Sequence, residues 1–387
     1  MNNKLDKLPS ESIDEYCIRI CELKEELDAS WQDVADFLND KLNYNYSKDR
    51  YRKKYGKITT ENIETLGSID EELLELKKEK IKLSEERTQI NSLVRSISRE
   101  ETLKEIAIDI ANTISSKKLL PRIKDANIIR NKDVKGILVL SDWHYGVEVS
   151  SYYNTYNTDV AKERIDKLLD ESIRLIKNEN ISELFVLNLG DMISGIIHLP
   201  LRLNSRIDVI TQTIEISEIL SEFLSELTNY CKIKYGSVSD NHSRLDPNKK
   251  ESLQVESFTR IIDWYLRKRL ESNNYIEFLD NKFGDDICSF NIFDFKVLAV
   301  HGDKDPQKKI LNQLINFTQE HYDLVLSAHK HHFFADEQNE TELYSNGSLM
   351  GTDDYAIKLR CNNKPSQLLI VADKDNISRN IYKIKLD

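Results

Sequence analysis

Cysteine is scarce and scattered in this 387-residue chain: Cys17, Cys21, Cys231, Cys288 and Cys361 are an odd set without a C-x-x-C pair. That argues against a disulfide framework and against a cysteine zinc site, and leaves ordinary reduced thiols. Long apolar runs are missing as well. No stretch approaches the roughly 20 residues of a membrane span, and the opening MNNKLDKLPSES has no apolar signal core. The expected location is therefore cytoplasmic, with no membrane partner. Internal repeats and low-complexity segments are also lacking. What is present is 40% hydrophobic and 31% charged residues, the balance of a soluble, folding chain. The length suits one large domain with a smaller appendage.

The net charge of -11 is unevenly spread: residues 1–135 hold 26 Lys and Arg against 27 Asp and Glu, whereas residues 136–387 hold 29 against 39. An acidic surface repels nucleic acid, but a local basic cluster still binds it. One such cluster lies near the start. Residues 1–57 read as three short helices. Pro9-Ser10 precedes a helical stripe of Ile13, Cys17, Ile20, Cys21 and Leu27; Ser30 with Asp33 has capping-box spacing, and Trp31, Val34, Ala35 and Leu38 share a face. The third, SKDRYRKKYGK, carries Lys48, Arg50, Arg52, Lys53, Lys54 and Lys57 with Tyr51 and Tyr55, against Asp49 alone. Two compact helices before a basic one suggest a helix-turn-helix head on DNA. A small bundle with a solvated basic face reads equally well.

From Leu66 to Ile97 the period becomes seven. Leu66, Leu73 and Val94 fall at a, and Ile69, Leu76, Leu83, Ile90 and Ile97 at d, interrupted by Lys80 and Arg87. A self-associating coiled coil is expected, the alternative being one long helix lying along the following domain. Pairing would also join basic heads and add avidity on DNA. The stripe then re-phases to Leu103, Ile106, Ile110 and Ile114 and stops at Pro121, as a docking helix before a breaker does. The expected division is a head at 1–60, coil and docking helices at 61–120, a linker at 121–135 and a catalytic domain at 136–387.

Within that last region, apolar runs at 137–140, 184–189, 231–238, 297–300 and 323–328 alternate with helical stretches near 159–178, 205–229, 251–272 and 307–319. Shorter strands follow at 341–345, 367–372 and 379–385. The pattern is a layered α/β domain. Metal-binding residue types stand behind five strands: Ser141-Asp142-Trp143-His144, Gly190-Asp191, Asp240-Asn241-His242, His301-Gly302-Asp303 and His329-Lys330-His331. Each piece alone is commonplace, but α/β folds place their sites at such strand ends. Five in a row are not accidental.

In this order, D-x-H, G-D, N-H, H and H-x-H resemble the calcineurin-like metallophosphoesterases, a superfamily that includes phosphoprotein phosphatases, cyclic-nucleotide phosphodiesterases and nuclease subunits of double-strand-break repair complexes. The stretches DWHYG, NHSR and NGSLMGTDDYA are similar to phage-borne members. The resemblance covers about 136–335 and implies a central β-sandwich flanked by helices. It also implies two divalent ions, one held by Asp142, His144, Asp191 and His331, the other by Asp191, Asn241, His301 and His329. Asp191 would bridge them and His242 would serve as general acid, with metal-activated hydroxide attacking phosphorus. Nitrogen and oxygen ligands without thiolate favour manganese, iron, zinc or nickel over calcium without choosing among them, and manganese is the expected ion. Asp240 replaces the usual Gly, Ser243 the usual acid, and Ala328 another Gly. Asp tolerates a left-handed turn, so Asp240 need not break the loop.

Candidate substrate contacts are His198, Arg202, Arg206 and Arg244, with surface ion pairs as the plainer role of Arg202 and Arg206. Trp143 and Tyr145 are either base-stacking groups or buried packing, and Asp303 is expected to orient a ligand. The functional expectation is a dinuclear-metal phosphodiesterase, foremost a DNA nuclease. Alternatives are a phosphatase or phosphodiesterase for a small nucleotide or phosphoprotein, and a non-enzymatic DNA-binding or assembly protein with a structural metal centre.

Overall fold

A computed structural model describes residues 5–24, 29–54, 69–118, 120, 133–197, 204–249, 252–306, 309–358, 360–375 and 379–387. The chain divides into two compact units, Met1–Ser98 and Arg99–Asp387.

In the first unit, helix α1 (Ile13–Glu22) starts at a Ser12–Glu15 capping box and α2 (Trp31–Leu42) at a Ser30–Asp33 one. Each reciprocal pair satisfies two otherwise orphaned backbone donors. Asn43, left-handed at φ 53°, ends α2, and α3 (48–54) follows after a short turn. Tyr16, Cys17, Ile20, Cys21, Val34, Ala35, Leu38 and Tyr51 form one core. Asn39 pins the turn. Its amide donates to the Tyr46 carbonyl at 2.8 Å, and its Oδ1 accepts from Tyr46 N at 3.0 Å and Tyr51 Oη at 2.9 Å.

Helix α4 (Ile69–Ser116) runs unbroken for 48 residues through the point where the apolar stripe re-phases. Leu83, Ile90 and Val94 are 55–62% exposed. Ile106 and Ile110, beyond residue 98, are buried in the second unit's core. There the Lys117 ammonium meets Glu218 at 2.8 Å, and Arg269 bonds the Lys118 carbonyl and Glu218.

Strand β1 (Val134–Leu140) begins inside the stretch read as a linker, of which 121–132 lies outside the described residues. Then come a hairpin of β2 (Val149–Ser150) and β3 (Thr155–Tyr156), α5 (Thr158–Asn178), β4 (Glu183–Asn188), α6 (Val209–Leu227), β5 (Lys232–Ser237), α7 (Phe258–Arg269) and β6 (Ile276–Phe278). They are followed by β7 (Ile287–Ile292), β8 (Phe295–Val300), α8 (Ile310–Thr318), β9 (Leu324–Ser327), β10 (Phe334–Gln338), β11 (Thr341–Ser345), α9 (Asp354–Lys358), β12 (Ser366–Asp373) and β13 (Arg379–Lys385). One sheet has the order β13-β12-β1-β4-β5-β6 and a second β10-β11-β9-β8-β7. β1, β4, β5 and β6 are parallel, as are β8, β9 and β11.

Central strands are buried on both faces, and their residues alternate between two cores. Leu138 and Leu140 join the cluster that holds α5, α6 and α7, whereas Ile137 and Val139 join Val297, Leu326 and Ile370 of both sheets. Leu298, Val300 and Val325 of the second sheet pack with Ile310, Leu311 and Leu314 of α8. Among the described residues no helix is long and apolar enough to cross a membrane.

Candidate metal centre

Parallel strands end at a common edge, and the loops after β1, β4, β5, β8 and β9 meet there. Backbone bonds stitch them together: Asp142 N to the Gly190 carbonyl at 3.0 Å, His144 N to Asp191 at 2.9 Å and Ala328 N to His301 at 2.9 Å. Asp142, His144, Asp191, His329 and His331 all have left-handed backbone, with φ between 46° and 68°. Each such residue costs about 1–2 kcal/mol, so the surrounding packing holds them there.

The side chains converge in two groups. Asp142, His144, Asp191 and His331 present ligand atoms within 4.8 Å of one another, and so do Asp191, His301 and His329. Asp191 belongs to both, its Oδ2 lying 3.3 Å from His301 Nε2, 3.7 Å from His144 Nε2 and 4.0 Å from His242 Nε2. Asn241 adds an oxygen, Oδ1, 2.9 Å from His301 Nε2. His144 and His331 face each other Nε2 to Nε2 at 3.2 Å, with Asp142 Oδ1 3.3 Å from His331 Nε2.

A carbonyl only accepts, so the 2.7 Å contact of His301 Nδ1 with the Leu189 carbonyl puts the proton on Nδ1 and turns Nε2 toward Asp191 and Asn241. The Leu189 carbonyl thus orients His301. Asp142 Oδ1, Asp191 Oδ2 and His329 Nδ1 are buried without a hydrogen-bond partner. Orphaned carboxylate and imidazole atoms aimed at common points are what a cation would satisfy, and the donor set fits divalent metal.

The titration behaviour shows the same tension. Burial, then His242, holds His144 well below the usual imidazole value, and burial with His301 lowers His329 to about 4. For His301, burial opposes the charge, but Asp191 and other carboxylates overcome it and raise it to about 10. Burial likewise disfavours charge on Asp191 and Asp142, yet the facing imidazoles keep both carboxyls below their usual range.

His242 sits beside both groups, its ring 4.5 Å from that of His144. Its Nδ1 donates to the Ser194 carbonyl at 2.8 Å, leaving Nε2 on the Asp191 side. Gly195 permits this: with φ 69°, its Cβ would lie 2.0 Å from the His242 carbonyl oxygen.

Asp240 does not use a left-handed turn. Its contribution is the carboxylate, which accepts from Ser243 N at 2.7 Å and from Thr259 Oγ1 at 2.9 Å and so closes the Asn241–His242 turn. Burial and Asp191 raise it to about 6. Ser243 Oγ pairs with Ser257 Oγ at 2.7 Å. The residue that looked like a lost glycine is thus a brace for the loop. Its only signal in the sequence was an acid beside an N-H pair.

Other expected residues divide. Arg244 donates Nε to the Asn241 carbonyl at 3.0 Å, which sets its guanidinium next to the ligand loop. Arg206 is paired with Glu148 at 3.0 Å on the surface. His198 and Arg202 lie outside the described residues. Trp143 and Tyr145 are fully buried, bonded to Gln367 and Glu215, so they are packing groups. Less legible was the loop 346–352: Ser348 Oγ donates to the Asp142 carbonyl at 2.9 Å and Asn346 Nδ2 to Ser141 Oγ at 2.9 Å.

In the head, Lys48, Arg52 and Lys53 are exposed, Arg50 lies 3.7 Å over the Tyr46 ring, and Lys54 pairs with Asp14. Two of the five head cations are thus also employed within the fold.

Residues 1–63 match the family described as the YonJ N-terminal domain. The chain is similar to YonJ of the SPbeta prophage of Bacillus subtilis strain 168, 27% identical over 368 residues and 90% of each chain. Among solved structures, a novel archaeal phosphodiesterase is 15% identical, covering 64% of this chain and 99% of its own at a TM-score of 0.33. Wild-type Vps29 from Entamoeba histolytica, complexed with zinc, is 12% identical over 65% of this chain and 99% of its own, at 0.31. The strand order and register described above carry the fold assignment.

Proposed function

We propose that residues 136–387 hydrolyse phosphodiester bonds with two divalent metal ions, manganese foremost, and that nucleic acid, DNA first, is the substrate. The carrying observation is the convergence of Asp142, His144, Asp191, Asn241, His301, His329 and His331, with buried carboxylate and imidazole atoms among them that make no hydrogen bond. Divalent ions there supply positive charge for phosphate oxygens and make water acidic enough to attack near neutral pH. Asp142 and His331 serve one ion, Asn241, His301 and His329 the other, with His144 on the first and Asp191 shared. The Leu189 carbonyl accepts from Nδ1 of His301 and turns its basic Nε2 toward the second group, and the Ser194 carbonyl accepts from Nδ1 of His242, whose imidazolium form carries on Nε2 the proton given to the departing oxygen. Arg244 is placed to hold a phosphate.

The exposed cations of α3 support nucleic acid as the address of the head in a helix-turn-helix role, and exposed Leu83, Ile90 and Val94 support self-association through 66–97.

The test is digestion of end-labelled single- and double-stranded DNA with manganese, beside a chelator lane and the Asp191→Asn protein. Cleavage lost in both controls is the expected result. Intact DNA with hydrolysis of an aryl phosphodiester would overturn the nuclease reading and leave a small nucleotide or phosphoprotein as substrate. Removing residues 1–57 should weaken DNA binding and flatten its salt dependence; unchanged binding would make the head an assembly element.

A further inference from the structure

The hairpin of β2 and β3 ends in Tyr152 and Tyr153, which are 96% and 53% exposed, their rings meeting edge to face at 5.2 Å. Single exposed aromatics need no explanation, but this pair stands on a rigid mount. Ser151 Oγ accepts from Tyr153 N and Asn154 N at 3.2 Å each, which closes the tip. Asn154 Nδ2 donates to the Met350 and Thr352 carbonyls at 2.8 and 2.9 Å. Arg164, 3.0 Å from Asn154 Oδ1, also donates to the Leu349 and Met350 carbonyls. That 349–352 loop is itself bonded to the ligand loop, Met350 N reaching the Asp142 carbonyl at 3.3 Å. Below the tip, Tyr156 Oη donates to the Trp143 carbonyl, between Asp142 and His144. Two hydrogen-bonded steps therefore connect Asp142 to the turn that carries these two exposed rings.

We propose that Tyr152 and Tyr153 are a stacking platform for unpaired bases of the strand being cut, which makes single-stranded nucleic acid the preferred substrate of this centre. The inference rests on the nuclease reading. Aromatic rings grip any base by its face and so add affinity without sequence preference, worth roughly tenfold or more per stacked base. Duplex bases are already stacked and gain nothing from such rings. A rigid mount loses little entropy when a base settles on it.

The decisive experiment is photo-crosslinking of a single-stranded 5-iodouracil oligonucleotide to the full chain in chelator, with the adduct mapped by mass spectrometry. Adducts at Tyr152 or Tyr153 are expected, and adducts confined to residues 1–54 would overturn the proposal whether or not the protein cuts DNA. In parallel, Tyr152→Ala with Tyr153→Ala should lower kcat/KM on a single strand by roughly tenfold or more. Aryl-diester turnover should stay unchanged, and Tyr→Trp at both positions should restore the strand. Equal cleavage of the single strand by parent and double-alanine protein would sink the platform while leaving the nuclease intact. A parent that hydrolyses the aryl diester and no strand would instead sink the nuclease reading.

Discussion

The head and the strand-end centre treat their buried polar groups in opposite ways. In the head, Asn39 is matched three times over and both capping boxes are closed. At the centre, Asp142 Oδ1, Asp191 Oδ2 and His329 Nδ1 are buried and unmatched. Leaving a buried acceptor unpaired costs about 1–3 kcal/mol; among the described residues the head has no such atom, whereas at the centre two carboxylate oxygens and an imidazole nitrogen of this kind converge, as a cation site would have them. Lys48, Arg52 and Lys53 of the head lie outside, in water.

The largest effect expected from this contrast is on Asp191. Manganese or zinc at a hundredfold excess over Kd should stabilise residues 99–387 by about 2.7 kcal/mol for each ion bound and leave the head's melting untouched. Asp191→Asn should abolish both that shift and hydrolysis. Equal metal-induced shifts in both units by calorimetry would break the comparison. Next is His242, beside the orphans but itself bonded through Nδ1: His242→Ala should retain metal by elemental analysis while losing about 10²–10⁴ in rate. Loss of metal would make it a ligand.

A third case lies in the second unit but away from the centre. Asp263, beneath β5, accepts from Ser237 Oγ and lies 3.5 Å from Tyr235 Oη; burial lifts its pKa from 3.8 to about 6. Because the folded value exceeds the unfolded one, its stabilising proton is fully held below about pH 4 and lost as pH rises through 6. The cost at pH 8 is about 2–3 kcal/mol. Asp263→Asn should raise Tm at pH 8 and not at pH 4; the same gain at both would discard the titration. The smallest effect belongs to the matched group: Asn39→Ala should cost the head about 1–3 kcal/mol, read from its own unfolding transition, with hydrolysis of an aryl diester unaltered.

Much of this was legible in the sequence. The run at 137–140 lies within β1, which is buried on both faces and so reads as a continuous apolar run, while 341–345 and 379–385 coincide with β11 and β13, whose burial is mixed. The ligands stood out because each follows such a run. What escaped has a physical reason. β7 and β10 have mixed burial, so their residues form no apolar run. Leu189 and Ser194 orient His301 and His242 through main-chain carbonyls, which every residue type carries. Asp240 read as a lost glycine because a conformational role was expected where a hydrogen-bonding one operates.

The burial of Ile106 and Ile110, with the Lys117–Glu218 clamp, sets where the second unit can be cut. A fragment begun at Val134 would uncover the surface those isoleucines cover, forfeiting about 1.5–3 kcal/mol for each, and would leave Glu218 and Arg269 without their partners at 117 and 118. Such a fragment should express as a sticky, easily melted protein, and its poor behaviour would be misread as a failing of the candidate metal centre. The natural first residue for work on the isolated second unit is near Arg99, some thirty-five residues upstream of the first strand.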